Sequence, residues 1–179
     1  MPAYPGEESL GPLSELLPAE LLPFFNARFV GSCNLIEEYV FRLAVRVVRA
    51  VGLAGSLAEG GSAAEIAMRA GLDPVVGVPL ADWLLRLLAE RGAIARVDGV
   101  PARFQHSGLL PDLELAEIEQ AQAAHDAAAL PSFRLAALAA EGYPAVMRGE
   151  ASGESVLFAA DRITAWSEYF SNQNPLYAI

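Results

Sequence analysis

A mainly α-helical fold, with a winged helix-turn-helix at its centre and helical extensions on both sides, is what this sequence predicts. Three observations predict it. Between Ser62 and Arg91 two segments with helical apolar spacing flank the breaker run Gly71-Leu72-Asp73-Pro74. Gly92 then stops the second segment, and the runs Ala93–Val97 and Val100–His106 flank Asp98-Gly99, the turn signal of a two-stranded wing. Before and after this unit, apolar residues recur at three- and four-residue intervals, with proline and glycine as punctuation.

The first stretch, residues 1–33, reads as a helical arm. Pro5-Gly6 and Gly11-Pro12 give it a loose start, and Leu13, Leu16, Leu17 and Leu21 share a helical spacing broken by Pro18 and Pro23. One or two short helices are expected here, too small to bury that stripe alone. Phe24, Phe25 and Phe29 follow and are read first as packing. Asn34 with Glu37 has the pattern of a capping box, worth about 1 kcal/mol, and opens the next helix. In that helix Glu38, Arg42, Arg46 and Arg49 form a narrow polar stripe, while Leu35, Ile36, Val40, Phe41, Leu43, Val45, Val47, Val48 and Val51 occupy the other faces. A helix so apolar is covered on several sides, and a second copy of the chain is the expected cover.

The winged helix is placed at residues 34–107. Ser62 and Glu65 form a second capping box, Ile66, Ala67 and Ala70 the buried face behind it, and Gly71 the left-handed stop. The next helix, Pro79 to Arg91, is expected to bury Leu80, Trp83, Leu84, Leu87 and Leu88, each worth about 1.5–3 kcal/mol before entropy. Residues 108–179 read as a helical segment. A polar helix, exposed or bridging, is expected from Pro111-Asp112 to near Pro131, and a second over Ser132–Ala140, closed by Gly142-Tyr143-Pro144. The loop Gly149–Gly153, a short buried segment Val156-Leu157-Phe158, and a helix capped by Asp161 complete the reading. The chain stops on apolar residues, like a cut made inside a longer protein.

Composition narrows the function. Apolar residues make up 54% and charged residues 19% of the 179, enough for a sizeable core. The twelve basic residues are all Arg, and the net charge of −10 argues against a nucleic-acid partner. The second helix of the wing unit sets Asp82 and Glu90 beside Arg86 and Arg91 and offers no amide or hydroxyl to read base edges. The lone Cys33 rules out an internal disulfide and fits a reducing cytoplasm. No signal peptide or membrane-spanning run is visible, so a soluble cytoplasmic protein is expected. His106 and His125 have no metal-ligand spacing around them, and the Gly60-Gly61-Ser62 and Ser152-Gly153-Glu154 loops lack the form of a nucleotide loop. No catalytic, cofactor or metal residue is assigned. Aromatic and amide side chains at the end of the chain, Trp166, Tyr169, Phe170, Asn172, Asn174 and Tyr177, are candidates to line a small-molecule pocket, although Trp166 and Phe170 are read first as core.

From Leu35 through Ser107 the chain resembles the N-terminal winged-helix dimerisation domain of class I S-adenosylmethionine-dependent O-methyltransferases. The residues carrying the resemblance are Val47–Leu57, then Ser62, Glu65, Ile66 and Ala67, then Gly71-Leu72. They continue in Leu84-Leu85, Leu87-Leu88, Gly92, Ile94, Gly99 and Phe104. Phe133, Leu135, Leu138, Gly142 and Pro144, and Tyr169-Phe170 with Asn174-Pro175, are similar to the stretch before that family's catalytic domain. The resemblance implies a homodimer whose S-adenosylmethionine and catalytic residues lie in a Rossmann-like domain C-terminal to this chain. It implies a small-molecule or carrier-tethered acceptor in bacterial secondary metabolism, of polyketide or small aromatic type, and no nucleic acid or membrane partner. Pocket residues would come from Phe25, Phe29 and Asn34 and from Trp166, Tyr169, Phe170, Asn172 and Asn174. A winged-helix regulator and a docking module without ligand are the competing readings.

Overall fold

A computed structural model describes residues 18–106 and 108–178. Of the leucine stripe in the N-terminal arm, Leu13, Leu16 and Leu17 fall outside the described residues. The visible arm holds a short 3-10 turn, Leu22–Phe24, and leads into α1, Ala27–Ala50.

Helix α1 is 24 residues long, about 36 Å at 1.5 Å per residue. It begins earlier than the sequence reading placed it. Asn26 is the N-cap, its side-chain oxygen accepting from Phe29 N–H at 3.1 Å. Phe25, just outside the cap, packs edge-on against Phe29 with centroids 5.5 Å apart. Asn34 therefore lies inside the helix and caps nothing, and α1 runs unbroken across position 33–34. Tyr39, Phe41, Leu43, Ala44, Val45, Val47 and Val48 are all buried. Cover for them within the chain comes from four later helices, α4 (Gly77–Glu90), α5 (Leu115–Asp126), α6 (Leu130–Met147) and α9 (Pro175–Ala178). Glu38, Arg42 and Arg49 of the polar stripe act as tethers, while Arg46 is exposed to solvent. Arg42 bonds Glu38 (3.0 Å), Glu117 (3.2 Å) and the Glu114 carbonyl, and Arg49 bonds Asp112 (2.9 Å) and the Leu110 carbonyl. Together they hold the segment leading into α5 against α1.

After Gly52, whose φ of +82° reverses the chain, come the short α2 (Leu53–Ser56) and β1 (Gly61–Ser62). The Ser62–Glu65 capping box forms as expected and opens α3, Ala63–Arg69. Gly71 (φ +71°) ends it. In the turn, Asp73 accepts Val75 N–H (2.8 Å) and Val76 N–H (2.9 Å), so α4 starts early, at Gly77, and runs to Glu90. Gly77 is needed there, because a Cβ would lie 2.5 Å from the Met147 carbonyl oxygen. Leu84, Leu85 and Leu88 are buried, but Trp83, expected inside, is 48% exposed.

The wing is smaller than the sequence reading. β2 (Ala95–Val97) pairs antiparallel with β3 (Arg103–Gln105), Arg96 opposite Phe104, and residues 98–102 form the connection instead of the two-residue turn at Asp98-Gly99. β1 adds a third strand on the other side of β3, in the order β1-β3-β2, and Phe104 is buried beneath. The mainly α winged-helix fold class is thus observed, with one strand more than the hairpin.

Helix α5 (Leu115–Asp126) starts four residues later than expected and lies along α1. Most of it is exposed, as expected of a bridging helix, and two of its polar residues, Gln122 and Asp126, turn inward to α1. Gln122, fully buried, donates to Ser32 Oγ (3.0 Å) and to the Asp126 carbonyl (2.7 Å). Asp126 pairs with Arg28 (3.0 Å), His125 Nε2 meets the Arg28 carbonyl (2.8 Å), and Tyr39 Oη donates to Glu119 (2.5 Å). Burial, then that carboxylate, pushes the Tyr39 phenol far above its ordinary pKa. Helix α6, Leu130–Met147, does not stop at Gly142-Tyr143-Pro144. An interior proline costs about 3 kcal/mol, yet Met147 beyond it is fully buried and its carbonyl accepts Asp73 N–H (2.9 Å), so tertiary packing carries the helix through.

Two outcomes follow. Gly142→Ala would place a Cβ 2.0 Å from Val156 Cγ1; it should lose about 1–3 kcal/mol by overpacking, read by urea unfolding, despite alanine's better helix propensity. Glu65 has its pKa held low, first by the Ser62 N–H bond, then by the Ser62 hydroxyl and Arg103. Its contribution is complete above the unfolded value of ~4.3 and is lost as pH falls through the lower folded value. Wild type and Glu65→Gln should therefore differ in stability near neutral pH and converge in acid, on the same urea curves.

Candidate functional site

The C-terminal third is built on the outward side of α6. Ser152 accepts Ser155 N–H (3.0 Å) and caps α7, Gly153–Leu157, whose Val156 fits over Gly142. A 3-10 turn at Ala160–Arg162 follows, so Asp161 sits inside a turn and caps nothing. Arg162 donates to the Leu138 carbonyl (2.8 Å), fixing the start of α8, Ile163–Tyr169. Arg134 and Glu168 pair at 2.8 Å, and α9 (Pro175–Ala178) closes back on α1.

These elements assemble an aromatic ladder. Phe158 stacks on Trp166 (5.0 Å between centroids), Trp166 on Phe170 (5.4 Å), and Tyr177 meets both Tyr169 (5.4 Å) and Phe170 (5.1 Å). Trp166 also spends its indole N–H on the Leu157 carbonyl at 2.6 Å. The ladder is not the buried core that the sequence suggested. Phe158 is 61% and Phe170 52% exposed, and Trp166 is half-buried. Beneath the rings runs a groove of about 450 Å³ whose walls include Ile36, Leu135, Ala136, Ala139, Trp166 and Tyr169.

The candidates from sequence divide clearly. Trp166 and Tyr169 line the groove, and Phe170 stacks against Trp166 at its edge. Asn174 is 1% exposed and acts as a bracket: its amide donates to Ser132 Oγ and to the Tyr169 carbonyl, both at 3.0 Å. Asn172 is exposed. Phe29 stands seven residues before Ile36, hence on the same face of α1, and Phe25 packs against it. Asn34, two residues before Ile36, points about 200° away and is not brought to the groove. Sequence reasoning missed Ile36, Ser132, Ala136 and Ala139, which carry no chemistry that would single them out.

Chemically the groove is mostly apolar, with two hydroxyl-bearing side chains, Ser132 and Tyr169, in its lining. The Ser132 hydroxyl is engaged by Asn174. Cys33 is half-buried, its thiol pushed up by burial and then by Glu37, a packed group rather than a nucleophile. His106 is tied by its backbone N–H to the Leu57 carbonyl (3.1 Å) at the end of the wing. Among the described residues no cluster of His, Cys, Asp or Glu could hold a metal, and no helix is long and apolar enough to cross a membrane.

Asn174→Ala removes the bracket and leaves the Tyr169 carbonyl without its donor. A loss of about 1–3 kcal/mol is expected, seen as faster amide exchange confined to α8 and α9 while α1 and α4 keep their protection.

No protein-family model matches the chain, and no curated protein matches it in sequence. A solved structure shares its fold: the selenomethionine-substituted CurJ carbon methyltransferase, with a TM-score of 0.72 at 20% identity over 96% of this chain. The match takes in 43% of that structure's own chain, so this chain spans less than half of its length. The fold described above is therefore one that a carbon methyltransferase also contains.

Proposed function

We propose that this chain is the helical, substrate-covering portion of an S-adenosylmethionine-dependent methyltransferase, with the methyl-transfer chemistry in a segment C-terminal to it. The observation that carries the reading is the aromatic ladder of α7–α9, exposed above an apolar groove, on a fold shared with a carbon methyltransferase over nearly all of this chain. A surface of that kind is a binding site. It suits a small organic acceptor, free or carrier-tethered, of the kind handled in polyketide or other secondary metabolism. The name of that structural neighbour makes carbon a candidate acceptor atom beside the oxygen suggested by the sequence.

The residues present do not fit the cofactor. S-adenosylmethionine in such enzymes needs a glycine-rich turn after a parallel strand, and the described strands are two or three residues long and antiparallel. What the chain supplies is cover. Trp166, Phe170 and Tyr169 offer rigid apolar faces that exclude water from an acceptor, and the Asn174 bracket orients them. A homodimer stays part of the proposal: much of α1 is covered within the chain, while Leu35, Ile36 and Val40 stay half-buried and could meet a second copy.

A winged-helix regulator is the competing class, and the charges disfavour it. Arg69, Arg86, Arg91, Arg96 and Arg103 each have a carboxylate within 4 Å, from Glu59, Asp82, Glu38, Asp98 and Glu65. Cations so paired are poor phosphate neutralisers.

The test uses the chain alone and the product of the reading frame extended past Ile179. Calorimetry should register no S-adenosylmethionine heat with the chain, and labelled-methyl transfer should appear with the extended product and fall when Trp166→Ala is introduced. Saturable cofactor binding by the chain alone, or tight salt-sensitive DNA retention, would overturn the reading.

A further inference from the structure

A second cleft lies away from the aromatic ladder, where α1, α4 and α6 converge. Its volume is about 140 Å³, and its walls include Val40 of α1, Trp83 and Leu84 of α4, and Ala139, Ala140 and Tyr143 of α6. No ionisable side chain other than the Tyr143 phenol lines it. Close-packed interiors leave few voids larger than a water molecule, so a gap of this size between three helices needs a cause. The cause is in the sequence: α6 presents alanine at 136, 139 and 140, where a larger side chain would close the space. At the mouth Trp83 stays 48% exposed, its ring 6.4 Å from that of Tyr143 and tilted by 37°. That tryptophan is the residue whose periodicity predicts burial, so the open cleft also accounts for its exposure.

We propose that this cleft binds the uncharged hydrocarbon part of a small molecule, a six-membered ring or a short branched alkyl group. Chemistry and size select the occupant. A hydrogen-bonding ligand would find one hydroxyl, the indole N–H of Trp83 at the mouth and no charge, so most of its polar groups would be stranded. An enclosed apolar cavity of about 150 Å³ takes a benzene-sized ligand; this cleft has a similar volume and apolar walls but opens to solvent at Trp83. Ala136 and Ala139 also line the groove under Trp166, so a longer chain seated in the cleft continues along α6 toward that groove. The proposal stands apart from the methyltransferase reading, which rests on the ladder of α7–α9, and either can fail alone.

The experiment uses the full chain carrying Trp166→Phe, so that Trp83 alone reports, and ethylbenzene as the probe. A saturable change in Trp83 emission is expected. Ala139→Leu and Ala136→Leu, made separately and checked for an unchanged unfolding transition, should each weaken it by about tenfold or more. Should both filled variants unfold, nuclear Overhauser contacts from ethylbenzene to the Val40 methyls, which line this cleft and not the groove under Trp166, carry the test instead. A response that never saturates, unchanged affinity in the folded variants, or missing contacts to Val40 would overturn the proposal. So would binding seen only after residues 1–17 are removed, since the leucines of that arm would then be the natural occupant.

Discussion

One constraint arranges this molecule: a 24-residue helix with apolar side chains around most of its circumference cannot be left in water. Both hydrophobic clusters are built on it. Phe41, Ala44, Val45, Val47 and Val48 meet the helix-turn-helix and the wing, while Tyr39 and Leu43 meet Phe133 and the inner sides of α5 and α6. One face of the helix-turn-helix is thereby a wall of the core. Its apolar second helix, α4, is used up against α1 and α6, and the narrow band of α1 left uncovered is closed by arginines that reach over to hold the chain running into α5.

Packing then falls off toward the C-terminus. The wing unit and α1 hold the fully buried leucines and valines, whereas α7, α8 and α9 contain no buried residue. What fixes them is a short set of polar links: Arg162 on a carbonyl of α6, the Trp166 indole on Leu157, and Asn174 between Ser132 and Tyr169. Segments held this way open at lower free energy than a core, which suits the covering role proposed for them.

Local chemistry was the legible part of the sequence. Ser62 with Glu65, and the stop at Gly71, are governed by residues three or four apart, and both appear where they were expected. The same logic misplaced the start of α1, because Asn34-x-x-Glu37 has the pattern of a cap while the helix already continues through it. The true cap, Asn26, has no acidic partner to announce it. Pro144 went astray for a different reason: the proline stop was overridden by the burial of Met147. The polar α5 bridges as expected, mostly exposed, with Gln122 and Asp126 turned inward to partners on α1. For the site, Trp166 and Tyr169 were visible as aromatics near the end of the chain. The alanines that make room beneath them were not, since the signature of a cavity is what a side chain lacks.

The arginines described as tethers have a consequence for how the chain meets other molecules. With a formal charge of −10, and with Arg28, Arg42, Arg49, Arg91 and Arg134 each paired to a carboxylate of their own chain, its outward field is that of a polyanion whose cations are locally neutralised. Encounter with a basic surface is then steered and quickened at low ionic strength, over a range set by a Debye length of about 10 Å at 0.1 M salt. Approach to an acidic carrier or domain runs uphill until a contact of matching shape is reached. Partner choice would thus be screened at a distance, before the aromatic groove is touched at all.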